Sequence, residues 1–168
     1  MCDITASIPF ECNNSQGGLS TLVLIPFVEN SVTVLNGEGT ALDAGITEAF
    51  KYEFKGNVHS FNEVKTQSID NGTSTVVQTL NVTLTKVTAT KTAQLNLLSE
   101  GRVVAFVKDN NGNYTVLGDW KGMYFNVDKQ SGSATGDTNG YVLTGTADAK
   151  QLGATLDSAT ATALEALV

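Results

Sequence analysis

Cysteine, proline, histidine, tryptophan and positive charge are all scarce in this chain of 168 residues, and each shortage excludes something. Two cysteines, Cys2 and Cys12, and one histidine, His59, do not make a zinc signature, which needs four ligands at short paired spacings. Ten basic residues against seventeen acidic ones leave a net charge of −7, so a conventional reader of phosphate backbones is excluded. No apolar run approaches the roughly 18 residues that span a bilayer. The apolar stretch Leu19–Val28 has strand length and is interrupted by Pro26. With two prolines and sixteen glycines, the composition favours strands joined by glycine turns.

What is present describes an ordered globular protein. Hydrophobic residues make up 41% and charged residues 16%, which separates the chain from disordered sequences. Residues 1–168 read as a single domain long enough to bury a core. The first residues lack the basic start and apolar centre of a secretory signal, so the chain reads as made in a cytoplasm. Cys2 and Cys12 are then expected as reduced thiols, although their spacing permits a pair. The sequons at Asn71, Asn81 and Asn113 carry no meaning in that compartment.

Catalytic patterns do not emerge. His59 has no Gly-x-Ser-x-Gly nucleophile elbow to serve, and a lone histidine at a strand start reads as structural or exposed. Asp109-Asn110-Asn111-Gly112-Asn113 resembles a calcium loop only superficially. Its glycine is fourth where the loop needs it sixth, and Trp120 stands where the bidentate glutamate belongs. A hairpin turn accounts for those residues better. Gly37-Glu38-Gly39 lacks the third glycine and the helix of a dinucleotide site, and no Walker lysine motif occurs. Carboxylates are scattered singly, which gives no acid–base pair. Trp120 with Tyr114, Tyr124 and Phe125 suggests a sugar platform, or packing over a sheet edge or subunit seam; the second is the favoured reading. No enzyme activity, cofactor or metal is expected.

The clearest local pattern lies between Phe61 and Gly101. Val76, Leu80, Val82 and Leu84 share one face of a strand, and Thr79, Asn81, Thr83 and Thr85 share the other. Asp70-Asn71-Gly72 predicts a tight type I′ connection, so residues 61–86 read as a long hairpin arm. A helix over 88–100 follows, with Thr88 as N-cap and Gly101 just past its end. Residues 1–18 read as irregular. Strands are expected at Thr21–Phe27, Ser31–Leu35, Ala49–Lys55, Tyr114–Leu117, Met123–Val127 and Tyr141–Thr146. Asn36-Gly37-Glu38-Gly39 reads as a turn or small loop, and Arg102–Lys108 as a central strand covered on both faces. The tail 158–168 has helical spacing, with Asp157 or Ser158 as cap. About eight short strands with a helix between them predict a mainly β fold, a β-sandwich or small barrel with one flanking α-helix. The polar arm over Asn62–Ser68 suits either solvent or pairing with another subunit.

The stretch Gly101 to Tyr114, followed by Leu117-Gly118, resembles structural proteins of tailed bacteriophages. Gly136-Asp137-Thr138-Asn139-Gly140-Tyr141-Val142-Leu143-Thr144 is similar to a closing strand of the same family. Asp3 to Phe27 is similar to proteins from phages of gut Bacteroidetes. The resemblance implies a tail-tube-like fold whose subunits close into homo-oligomeric rings around a channel for DNA. The 61–86 hairpin would touch the neighbouring ring, and the expected contact residues are Phe61, Glu63, Lys65, Ile69, Asn71, Gly72, Val77 and Trp120. Glu53, Glu63 and Asp70 would be the channel-facing acids. The implied place is the tail or neck of a virion, beside other virion proteins, with DNA passing unbound and no membrane insertion. A capsid-decorating or head-completion protein is the alternative within virions. A carbohydrate-binding or adhesive β-sandwich, with Trp120 and residues 131–140 as its site, is the alternative outside them.

Overall fold

Two segments carry apolar side chains on both parities, Leu22-Val23-Leu24-Ile25 and Val104-Ala105-Phe106-Val107, and both become strands buried on both faces. They are β1 (Leu19–Pro26) and β7 (Val103–Asp109), which pair antiparallel in the computed structural model; it describes residues 6–54, 56 and 58–168. Their sheet also contains β2 (Val32–Leu35), β3 (Glu38–Leu42), β4 (Phe50–Glu53), β8 (Tyr114–Leu117) and β11 (Thr155–Leu156). The order across this large sheet is β2-β3-β11-β8-β7-β1-β4. A smaller antiparallel sheet holds β5 (Ser60–Ser68), β6 (Thr73–Thr85), β9 (Tyr124–Gln130) and β10 (Gly140–Ala149), in the order β5-β6-β10-β9.

The alternate apolar residues of the small sheet fix what it packs against. Leu80, Val82, Leu143 and Phe125 meet Leu22, Leu24, Ala105 and Val107 of the large sheet, and α1 (Ala89–Glu100) adds Leu95 and Leu98. On the far side of the large sheet, Val23, Ile25, Val104, Phe106 and Val116 form a second core, covered by Ile46 and by Leu164 of α2 (Ser158–Glu165). The fold is therefore mainly β, as expected, with two packed sheets that do not close into a barrel.

Capping follows the sequence. Thr88 caps α1, its hydroxyl accepting from Lys91 N–H at 3.3 Å, and Asp157 caps α2 by accepting from Thr160 N–H at 2.7 Å. Gly101 sits just past α1 with φ −101°, a value open to any residue. α2 stops at Glu165, short of the expected end.

Three expectations are corrected. The type I′ turn lies at Asn36-Gly37, where φ is +54° and +86° and Leu35 pairs directly with Glu38. At the hairpin, Ser68 pairs with Thr73 around a four-residue loop, Gly72 N–H donates to Ile69 C=O, and among Asp70, Asn71 and Gly72 only Gly72 has positive φ. Glu38 and Gly39 belong to β3, not to a loop; β3 and the two-residue β11 carry too little hydrophobic signal to stand out. Finally, residues 61–86 are not a free arm. β6 is an inner strand between β5 and β10, paired to β10 from Val76 to Thr85, so only Thr66–Thr75 projects as a two-stranded ribbon. Among the described residues, no helix is long and apolar enough to cross a membrane.

Candidate assembly surface

Strand register decides what the small sheet shows to its surroundings. Rows across it read Ser60, Asn81, Thr144, Asn126, then Asn62, Thr79, Thr146, Tyr124. The alternate positions point to the core, so these rows form the outward face. Two carboxylates stand on that face, Asp128 opposite Val142 and Asp148 opposite Val77. The outward positions of the four strands include no lysine or arginine, and Lys121 from the turn before β9 reaches Asp148 at 3.7 Å. Val64 and Val77, paired across β5 and β6 and each about half exposed, give the face an aliphatic spot, and Val142 adds a second, half-buried one beside Asp128. β5 is an open edge of the sheet, whereas β9 runs beside α1.

The residues expected at subunit contacts do not form one patch. Ile69, 93% exposed, with Asp70, Asn71 and Gly72, forms the ribbon tip, and Val77 lies on the outward face. Lys65 is exposed at the ribbon's root, opposite Val76. Phe61 and Glu63 instead point between the sheets. Phe61 packs on the core, and Glu63 Oε1 accepts from Gln78 Nε2 at 2.6 Å and from Gly153 N–H at 2.7 Å. Gln78 is buried and its Oε1 accepts from Gly118 N–H at 2.8 Å. This relay ties β5 and β6 to two turns beside the large sheet, so Glu63 has an internal structural task. Gly153 fits there because a Cβ would lie 2.3 Å from Val116 O.

The three acids expected to face a channel are not brought together. Glu53 lies on β4 of the large sheet, paired with Lys51 at 2.8 Å, which holds its carboxyl below the usual range. Glu63 is internal, and Asp70 is at the ribbon tip. Asp128 and Asp148 are the acids that share a face. Their signal was the alternation of β9 and β10, extended three residues beyond the apolar segments.

Trp120 sits in the turn between β8 and β9, flanked by Gly118 (φ +78°) and Gly122 (φ +85°). The Lys121 and Lys150 ammonium groups lie 4.3 and 4.9 Å from its ring centre, so a sugar ring would have to displace them. His59 is buried, its ring 4.2 Å from that of Phe54, and Nδ1 accepts from Thr83 N–H at 3.2 Å. Asp109 closes the β7–β8 turn by accepting from Asn111 and Asn113 N–H at 2.9 and 2.8 Å, the hairpin expected in place of a calcium loop. Among the described residues, no group of three or more potential ligands could hold a metal. Cys12 is exposed, and Cys2 lies outside the described residues.

A charged cluster anchors α2. Glu165 Oε1 accepts from Lys108 Nζ at 2.8 Å and from the Tyr114 hydroxyl at 2.9 Å, and these bonds hold its carboxyl below the usual range. Burial, then the bond to Glu165, raises the Tyr114 phenol. These groups serve packing between α2 and the large sheet.

Comparison with known proteins found no matching family model, no matching curated protein and no matching solved structure.

Proposed function

We propose that this chain is a structural subunit of a tailed-phage virion, in the tail tube or in a ring of the neck or tail, which assembles with its own copies around a channel for DNA. One observation carries the reading: the outward face of the small sheet, where threonine, asparagine and serine rows bear two carboxylates and no strand position holds a cation, Lys121 of the adjacent turn being paired with Asp148 at 3.7 Å. A duplex sliding past such a surface meets hydrated, uncharged groups and weak repulsion. Little counterion release holds it, because the strand positions offer no lysine or arginine to the phosphates and Lys121 is already paired with Asp148. The Thr66–Thr75 ribbon, tipped by Ile69, reaches beyond the sheet toward a neighbour. The resemblance of residues 101–118 and 136–144 to tailed-phage proteins supports the same reading.

The test is the mass of the purified protein together with negative-stain images of the same fractions. Rings or stacked tubes with a central channel are expected. A monomer with saturable glycan binding that disappears in Trp120→Ala would replace this reading with the adhesive one.

A further inference from the structure

Beyond the small sheet, a second surface of the molecule is incomplete. β4 is the outer strand of the large sheet, and among the described residues no strand pairs with its free side. A groove of about 910 Å³ runs along it, between β4, the end of β6 and α1. Phe50, Tyr52, Phe54, Leu84, Leu95 and Val168 supply its apolar lining. Phe50 is 52% exposed there, in a lining that also holds the buried Leu84 and Leu95.

The same chain carries a segment with the complementary pattern. Residues 6–18 form no strand until Leu19, and Ile8 and Phe10 are 96% and 92% exposed. In an extended segment these two side chains share one face, and their backbone N–H groups point to one side. Pro9 between them biases Ile8 toward extended backbone. Its missing N–H would face away from a strand paired through residues 8 and 10, the placement proline takes on sheet edges. Glu11 is the only charge in residues 6–14, and Lys91 lines the helix side of the groove.

In its own copy the segment does not occupy this groove, since Ile8 and Phe10 are both exposed. Gln16 N–H donates to Asn111 Oδ1 at 2.8 Å, Asn111 Nδ2 to Gln16 O at 2.9 Å, and Asn110 Nδ2 to Gly17 O at 2.7 Å. These bonds root the segment on the β7–β8 turn, whereas β4 lies across β1 from β7. We infer that residues 7–11 of one copy add as an edge strand to β4 of a second copy, with Ile8 and Phe10 seated in its groove. The contact is head-to-tail, since arm and groove are different surfaces, so it propagates into rings or filaments. It requires only a second copy of the chain and does not rest on the virion reading.

Two variants test it, Ile8→Asp/Phe10→Asp in the arm and Phe50→Asp in the groove. Masses are measured by light scattering across a concentration series, with thermal unfolding as the control for folding. The wild type is expected to form oligomers, and each variant alone to weaken association at least about tenfold. Mixed one to one, the variants are expected to give a heterodimer that grows no further, because one intact arm meets one intact groove. A wild type that stays monomeric, an arm variant with the wild-type mass, or a mixture that remains two folded monomers would each overturn the inference. An unfolded groove variant moves the test to a labelled peptide of residues 6–14 titrated into the arm variant. Saturable binding that excess unlabelled peptide competes away is expected there, and its absence overturns the inference.

Discussion

Along β7 four consecutive residues, Val104 to Val107, are buried, whereas along β6 burial skips every second position from Val76 to Leu84. The first pattern belongs to a strand with a core on each side, the second to a strand with one side left open. The large sheet is thus an internal frame, held between the small sheet and α2, while the small sheet spends half its side chains on a surface. Selection for packing accounts for the apolar half of β6. It does not account for rows of threonine and asparagine with no cation at their strand positions on the other half, and there the functional proposal is placed.

Substitutions can break this contrast at either end. Phe106→Ala, in the middle of the buried frame, is expected to cost about 3–5 kcal/mol in denaturant unfolding, the usual range for a truncated core aromatic. A cost below about 1 kcal/mol would mean that the frame is not close-packed. Gln78→Ala is next: it strands Gly118 N–H and removes a donor from Glu63 in a buried site, at roughly 1–3 kcal/mol. Thr88→Ala removes the α1 cap for about 1 kcal/mol, with Thr88→Ser restoring most of it.

The pH dependence of the α2 latch is smaller still. Because the Glu165 carboxyl is lowered in the folded protein, its stabilisation is present above the ordinary glutamate value and fades as pH falls through the lowered one. Half of that side chain is exposed, so solvent screens most of the effect. Glu165→Gln is expected to flatten this part of the acid-side unfolding profile and leave the neutral-side slope unchanged. A change in stability of about 1 kcal/mol or less is expected for Asp128→Lys/Asp148→Lys on the outward face, which also breaks the exposed Lys121–Asp148 pair. That variant sharpens the contrast in another assay, since it is expected to retain duplex DNA at low salt where the wild type does not.

How much of this was legible depended on which pattern each segment carried. Leu22 to Ile25 and Val104 to Val107 announce buried strands, and Thr88 announces a helix start, because burial and capping are local demands. The Asn-Gly turns could not be ranked locally. Asn36-Gly37 and Asn71-Gly72 offer the same chemistry, and the two-residue connection went to the hairpin whose strands pair directly across it. Glu63 looked like a surface acid on a polar strand. Its task depends on Gln78 and Gly153, fifteen and ninety residues away, which no local period connects to it. The shared face of Asp128 and Asp148 likewise appears only once β9 and β10 are in register.

The most direct measurement is a three-dimensional reconstruction of the assembled particle. The outward face of the small sheet, with Asp128 and Asp148, is expected to line the channel, and the large sheet to lie behind it. A particle whose channel is lined by the large sheet or α2, or protein that forms no particle, would contradict that expectation.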